Sequence, residues 1–219
     1  MSDVNPDFAP MMGRLVPQRS AYEVITDIVK SNPTVAYLML VSYVEGPNWR
    51  DLPHAGDGAD VELIVRGLQQ DRGERILTEL PRTKVSAERL RNFAESLPNN
   101  RLLGVASRVL LEDGGGAHIP MMDFMCVPSA KHLELVTHLL TELRHGRGCL
   151  LDSGKSYHYY GIRLLTEEEW KVFLGKCLLM SGYTDDRYIG HQLVDGYCVL
   201  RLSSGKWKGS VPTVVAELS

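Results

Sequence analysis

Residues 150 to 160 read Leu-Leu-Asp-Ser-Gly-Lys-Ser-Tyr-His-Tyr-Tyr, so a lysine, two serine hydroxyls, a glycine turn with exposed backbone N–H groups and an imidazole converge between Ser153 and His158. Each of these groups donates to or neutralises an anion, and together they suit a phosphate. A nucleotide-binding P-loop is excluded. Its glycine has to stand five residues before the Gly-Lys-Ser, where this chain has Cys149, and Gly148 misses by one. A P-loop also opens a helix, whereas Ser156-Tyr157-His158-Tyr159-Tyr160 is rich in strand formers. The element is therefore a hairpin whose turn holds Ser153, Gly154, Lys155 and Ser156 and whose second strand carries His158. Two further acidic features stand apart from it. Asp123 lies within the apolar run Met121-Met122-Asp123-Phe124-Met125, and Asp185-Asp186 precede Arg187 in a turn. Taken singly, these are a strand-terminal acid, a packed histidine and a solvated loop.

The elements that must hold these groups are legible from periodicity and stop signals. Between residues 21 and 30, Val24, Ile25, Ile28 and Val29 recur at helical spacing, and residues 35 to 44 read as a buried strand. Residues 46 to 58 form a turn-rich loop and residues 60 to 66 a strand. Residues 86 to 97 form a helix with Ser86 as N-cap and Pro98 beyond its end. In the second half, residues 103 to 111 read as a strand, Gly114-Gly115-Gly116 as a turn and residues 119 to 126 as a second strand. Residues 129 to 145 are a helix that Gly146 stops. The hairpin spans 148 to 152 and 156 to 164, a helix opened by Thr166 with Glu169 spans 166 to 180, and residues 194 to 202 close as a strand. Strand, helix, two strands, helix, strand is a split βαβ order, so the expected fold is α/β of the α+β kind, with an RRM-like or ferredoxin-like core. Residues 1 to 100 form an N-terminal α/β extension and residues 101 to 219 the core, in one compact unit without a linker.

Bulk properties narrow the functional classes. A net charge of −3 argues against a protein that coats nucleic acid nonspecifically, which relies on many cations displacing counterions, so any such contact must be local. The segment from Gly196 to Val215 qualifies, since it carries Arg201, Lys206 and Lys208 with no acid, and has Trp207 for base stacking. Cys126, Cys149, Cys177 and Cys198 are widely spaced in apolar contexts and read as reduced, buried thiols. No stretch reaches the roughly 18 apolar residues of a membrane span, and the first residues lack the basic start and apolar run of a signal peptide. A cytoplasmic protein is expected.

Asp, then Ser-Gly-x-x-x-His, then Asp, spread over this order of elements, resembles the three motifs of the archaeo-eukaryotic primase superfamily, the primase-polymerases, across residues 103 to 212. The first motif, Asp-x-Asp or Asp-x-Glu on a strand, corresponds to Asp123-Phe124-Met125. The second corresponds to Ser153-Gly154-Lys155-Ser156-Tyr157-His158, and the third to Asp186, with Asp185 as the fallback. A phosphate-binding segment of that family is similar to Leu200-Arg201-Leu202-Ser203-Ser204-Gly205-Lys206. The resemblance implies template-directed nucleotidyl transfer by a metal-dependent primase or polymerase. Asp123, Asp186 and Asp185 would hold Mg²⁺ or Mn²⁺, because hard cations select carboxylate oxygen. Asp123, His158 and Asp186 would be the catalytic set. Ser153, Gly154, Lys155, Ser156, His158, Arg201, Ser203 and Lys206 would hold a nucleoside triphosphate, and single-stranded or primer-template nucleic acid would be the partner.

One position departs from that pattern. Met125 stands where the family places its second metal-binding carboxylate, and a neutral thioether is a poor ligand for Mg²⁺. Asp152 is the best substitute acid, although capping the turn at Gly154 or Lys155 is a job its position also fits. Asp60 and Glu62 form another Asp-x-Glu and read as a solvent-facing strand edge. Met125 raises an alternative, a degenerate relative that binds nucleotide or nucleic acid as an accessory or sensor protein. A third reading, an RNA-binding module, would need aromatics on one open sheet face, yet Tyr157, Tyr159 and Tyr160 cannot share one face of a strand.

Overall fold

The structure is a computed structural model that describes residues 19–44, 74–144, 146–180, 182–206 and 208–219. Two antiparallel sheets and five helices make an α+β fold, as the sequence pattern implies. Helix α1 (Ala21–Ser31) leads into β1 (Val35–Val44), and β2 (Arg75–Pro81) precedes α2 (Ala87–Glu95). The chain continues through β3 (Arg101–Leu111), β4 (Gly116–His118), β5 (Met121–Asp123), α3 (Ala130–Glu142), β6 (Gly148–Asp152) and β7 (Tyr157–Gly161). It ends with α4 (Glu167–Leu178), α5 (Asp186–Asp195), β8 (Val199–Arg201) and β9 (Thr213–Leu218). The helix starts follow from local chemistry. Ser20 and Thr166 each form a capping box with a glutamate three residues on, and Ser86 and Ser129 accept from the amides of Arg89 and His132.

The first sheet runs β2-β1-β3-β4, and β8 shares the second edge of β3 with β4, pairing through Gly104, Val105 and Ala106. The second sheet runs β5-β7-β6-β9. Within it β5, α3 and β6 form the split βαβ unit, with β7 inserted between the two strands. One apolar cluster extends from α1 and β1 through Trp170 and Phe173 of α4 to Leu200 and Leu202, so α1, β1, β2 and α2 contribute to the same interior as the later elements. Among the described residues no helix is long and apolar enough to cross a membrane. The four cysteines are buried thiols, and burial pushes the Cys198 thiol up to about 12, which keeps it protonated.

Several strand expectations change. Of the strand expected over 119 to 126 only β5 forms, paired with β7; β4, just before it and partly in the expected glycine turn, pairs with β3 in the other sheet, and the chain crosses between them at Ile119 and Pro120. Pro120 has no N–H to continue a ladder, and its carbonyl instead accepts from Gly161 at 2.8 Å. The strand expected over 194 to 202 is only β8. Val194 and Asp195 belong to α5, which buries Tyr188, Ile189 and Gln192 and stops at Gly196, whose φ of 76° is left-handed. β8 also joins β3 rather than the sheet that holds β5 and β7. Strands β2 and β9, and helix α5, are additions that periodicity did not announce. The readings placed on residues 46 to 58, on the strand from 60 to 66 with Asp60 and Glu62, and on Trp207 lie outside the described residues.

Candidate functional site

The site is assembled by β5, the β6–β7 turn, the segment leading into α5, and the loops after β8. Asp123, the last residue of β5, is paired in register with His158 of β7, so the two side chains project from the same face of the second sheet. His158 Nε2 stands 3.9 Å from Asp123 Oδ1, and both are largely enclosed, with side chains 7% and 21% exposed. The next residue, Phe124, makes an antiparallel bridge with Thr184, and the Met125 amide donates to the Tyr183 carbonyl at 2.7 Å. These contacts hold the segment before α5 against the end of β5.

The two acids of the third motif differ in burial. Asp185 is 3% exposed and caps α5, its Oδ1 accepting from the Tyr188 amide at 3.0 Å. Asp186 is the first residue of α5 and is exposed. A sequence signal was present, since aspartate is a favoured N-cap, but it becomes readable only once α5 is recognised as a helix.

The β6–β7 turn forms as expected. Asp152 Oδ1 accepts from the Gly154 amide at 2.7 Å, so Asp152 caps the turn rather than standing in as a spare carboxylate. Gly154 has a φ of 91°, a conformation that glycine takes without strain. Ser153 closes the turn, its amide and its hydroxyl both donating to the Ser156 carbonyl at 2.9 Å. The Ser156 hydroxyl, 3% exposed, points to Asp123 and donates to its Oδ1 at 2.9 Å. Lys155 is at the exposed tip.

Arg201, expected at the phosphates, is 6% exposed and has its guanidinium turned to backbone carbonyls. It donates to Ser203, to Ser210 at 2.6 Å and to Ser153 at 2.7 Å. Ser203 is also inward-facing, its hydroxyl accepting from the Leu103 amide at 2.9 Å. Lys206 is exposed on a tight turn in which the amides of Gly205 and Lys208 donate to each other's carbonyls. This places Lys155 and Lys206 on the outer rim, with Arg201 and Ser203 behind it.

The donor set meets a divalent cation only in part. Asp123 and Asp185 supply hard oxygen, Met125 contributes no charge, and among the described residues no group of three or more His, Cys, Asp or Glu side chains is placed to hold a metal ion. Every residue of β7 is buried, so its tyrosines face the interior and not an open sheet surface. Tyr159 lies against Phe173 of α4 with ring centroids 6.3 Å apart, and the Tyr157 hydroxyl donates to the Ser129 carbonyl.

Comparison with protein families finds one described as archaeo-eukaryotic primase 1D-like, whose model matches residues 81–211, more than half of the chain. The match runs from the end of β2 through every element of the site. No curated protein and no solved structure matches the chain.

Proposed function

Because the chain belongs to the archaeo-eukaryotic primase 1D-like family, we propose that it binds a nucleoside triphosphate with a divalent cation and transfers nucleotides to a growing strand on a template. The observation that supports this reading is the register pairing of Asp123 with His158, whose Nε2 lies 3.9 Å from Asp123 Oδ1. Asp123 and Asp185 are the residues that would hold Mg²⁺ or Mn²⁺, and a bound ion supplies Lewis-acid stabilisation of phosphate charge. His158 donates a hydrogen bond to the triphosphate from within an enclosed pocket, where a charged or polarised donor counts for more than in water. Lys155 and Lys206 reach the outer phosphates as mobile point charges. In the reaction a strand 3′-hydroxyl attacks the α-phosphorus, a new phosphodiester bond forms and pyrophosphate leaves.

The test is incubation of the full chain with Mn²⁺, labelled nucleoside triphosphates and a single-stranded template. Short products are expected, and they should disappear in Asp123→Asn and fall in His158→Ala. Saturable, His158-dependent triphosphate binding without product would identify a binding accessory instead. Product formation indifferent to Asp123→Asn, or no saturable triphosphate binding at all, would remove the reading.

A further inference from the structure

The carbonyls gathered by Arg201 come from three separate segments: Ser153 in the β6–β7 turn, Ser203 just after β8, and Ser210 before β9. A planar guanidinium is suited to this, because its donors diverge in a fixed fork, which a lysine ammonium cannot reproduce. The segments are held close. A Cβ added at Gly154 would come within 3.0 Å of Ser210 Oγ, so the turn and the loop before β9 are already in contact. From the clamped Ser153 the hydrogen bonds continue inward. Ser153 closes on the Ser156 carbonyl, with the two hydroxyls 3.1 Å apart, and Ser156 donates to Asp123.

We infer that Arg201 and Ser156 are positioning residues for Asp123 and not phosphate ligands: Arg201 fixes the turn from three carbonyls, and Ser156 uses that turn to set the orientation of the Asp123 carboxylate. The functional part of this assignment rests on the proposed nucleotide site. It gives the buried arginine a role distinct from charge neutralisation, which falls to the exposed Lys155 and Lys206. It also accounts for the burial of both hydroxyls in a turn that otherwise looks built to face a ligand.

The two roles separate in the comparison of Arg201→Lys with Arg201→Gln. A phosphate ligand tolerates lysine, which keeps the charge, better than glutamine; a carbonyl clamp loses its fork in both. The full chain and its Arg201→Lys, Arg201→Gln, Ser156→Ala and Asp123→Asn variants are titrated with Mn²⁺–ATP, at a temperature where near-UV circular dichroism shows each fully folded. The expected result is an affinity loss of about tenfold in both Arg201 variants, the size of a lost hydrogen bond to a charged group. The electron paramagnetic resonance spectrum of bound Mn²⁺ should change in the same way in both and in Ser156→Ala, which loss of thermal stability alone does not produce. Arg201→Lys within about twofold of the native chain, with Arg201→Gln clearly weaker, would overturn the inference, since about tenfold is the loss expected for the clamp. If the native chain and Asp123→Asn both fail to bind Mn²⁺–ATP, the nucleotide reading falls. Amide exchange then decides the clamp: faster exchange at Gly154 in both Arg201 variants upholds it, and unchanged exchange refutes it.

Discussion

Met125→Asp adds a carboxylate to the site, and its cost without metal follows from the strand. Residues 123 and 125 alternate along extended backbone, which spaces same-face side chains roughly 7 Å apart. Two unit charges at that distance, at an effective permittivity of about 20, repel by about 2 kcal/mol. The Asp123 side chain is 21% exposed and Met125 is half-buried, so solvent screens this repulsion only in part. For a chain of this size the metal-free variant should melt lower by about 4 to 8 °C. Met125→Asn has nearly the same shape without the charge and isolates the electrostatic contribution from lost apolar packing. Millimolar Mn²⁺ should then reverse most of the loss in Met125→Asp and little of it in Met125→Asn, because an ion bound only by the folded state raises its stability by mass action. The assay is thermal denaturation of the three proteins with and without Mn²⁺. Equal melting losses in both variants, unaffected by Mn²⁺, would show that position 125 does not share a site with Asp123.

Burial holds His118 below the ordinary histidine value of 6.5, against the opposing pull of Glu167, whose Oε2 lies 2.9 Å from Nε2. The folded state therefore favours neutral His118. Its contribution is complete above pH 6.5 and is lost as pH falls below that value, so urea midpoints should drop between pH 7.5 and 5.5, and His118→Gln should flatten the slope. Gly148→Ala should destabilise by about 1 to 3 kcal/mol by overpacking. The new Cβ would lie 2.5 Å from Tyr159 Cε2 and 2.9 Å from the Tyr160 carbonyl oxygen, and chemical denaturation measures the cost. Thr166→Ala removes one side of the α4 capping box and should cost about 1 kcal/mol by the same method, with an unchanged midpoint counting against the cap.

Much of the site was readable because its parts are local. The Asp152 cap, the Gly154 turn and the placement of His158 on a strand are set within about ten residues, and residue type alone favours each. Three features resisted. The burial of Asp185 as the cap of α5 was not legible because α5 was not seen. Its interior contains Gly190 and His191, and its apolar signal was absorbed into the strand expected from Val194. The internal bonding of Arg201 was hidden because nothing in its neighbours reveals that Ser153, 48 positions away, supplies one of its acceptors. The split between β4 and β5 was signalled only by Pro120, which ends a ladder without saying where the chain goes next.

By itself the sequence determined where most helices and strands begin, which turn faces outward, and which acids, imidazole and lysines were available for phosphate chemistry. Capping, β propensity and periodicity act over a few residues and are written in them. Tertiary structure decided which sheet each strand joined, which of Asp185 and Asp186 is buried, and whether a cation faces solvent or the chain's own carbonyls. Those outcomes depend on partners a hundred positions apart, such as Leu103 with Ser203, and on the register of an isolated bridge at Phe124 and Thr184. A residue's own neighbours do not encode such pairings, because burial energy is settled by the whole interior at once.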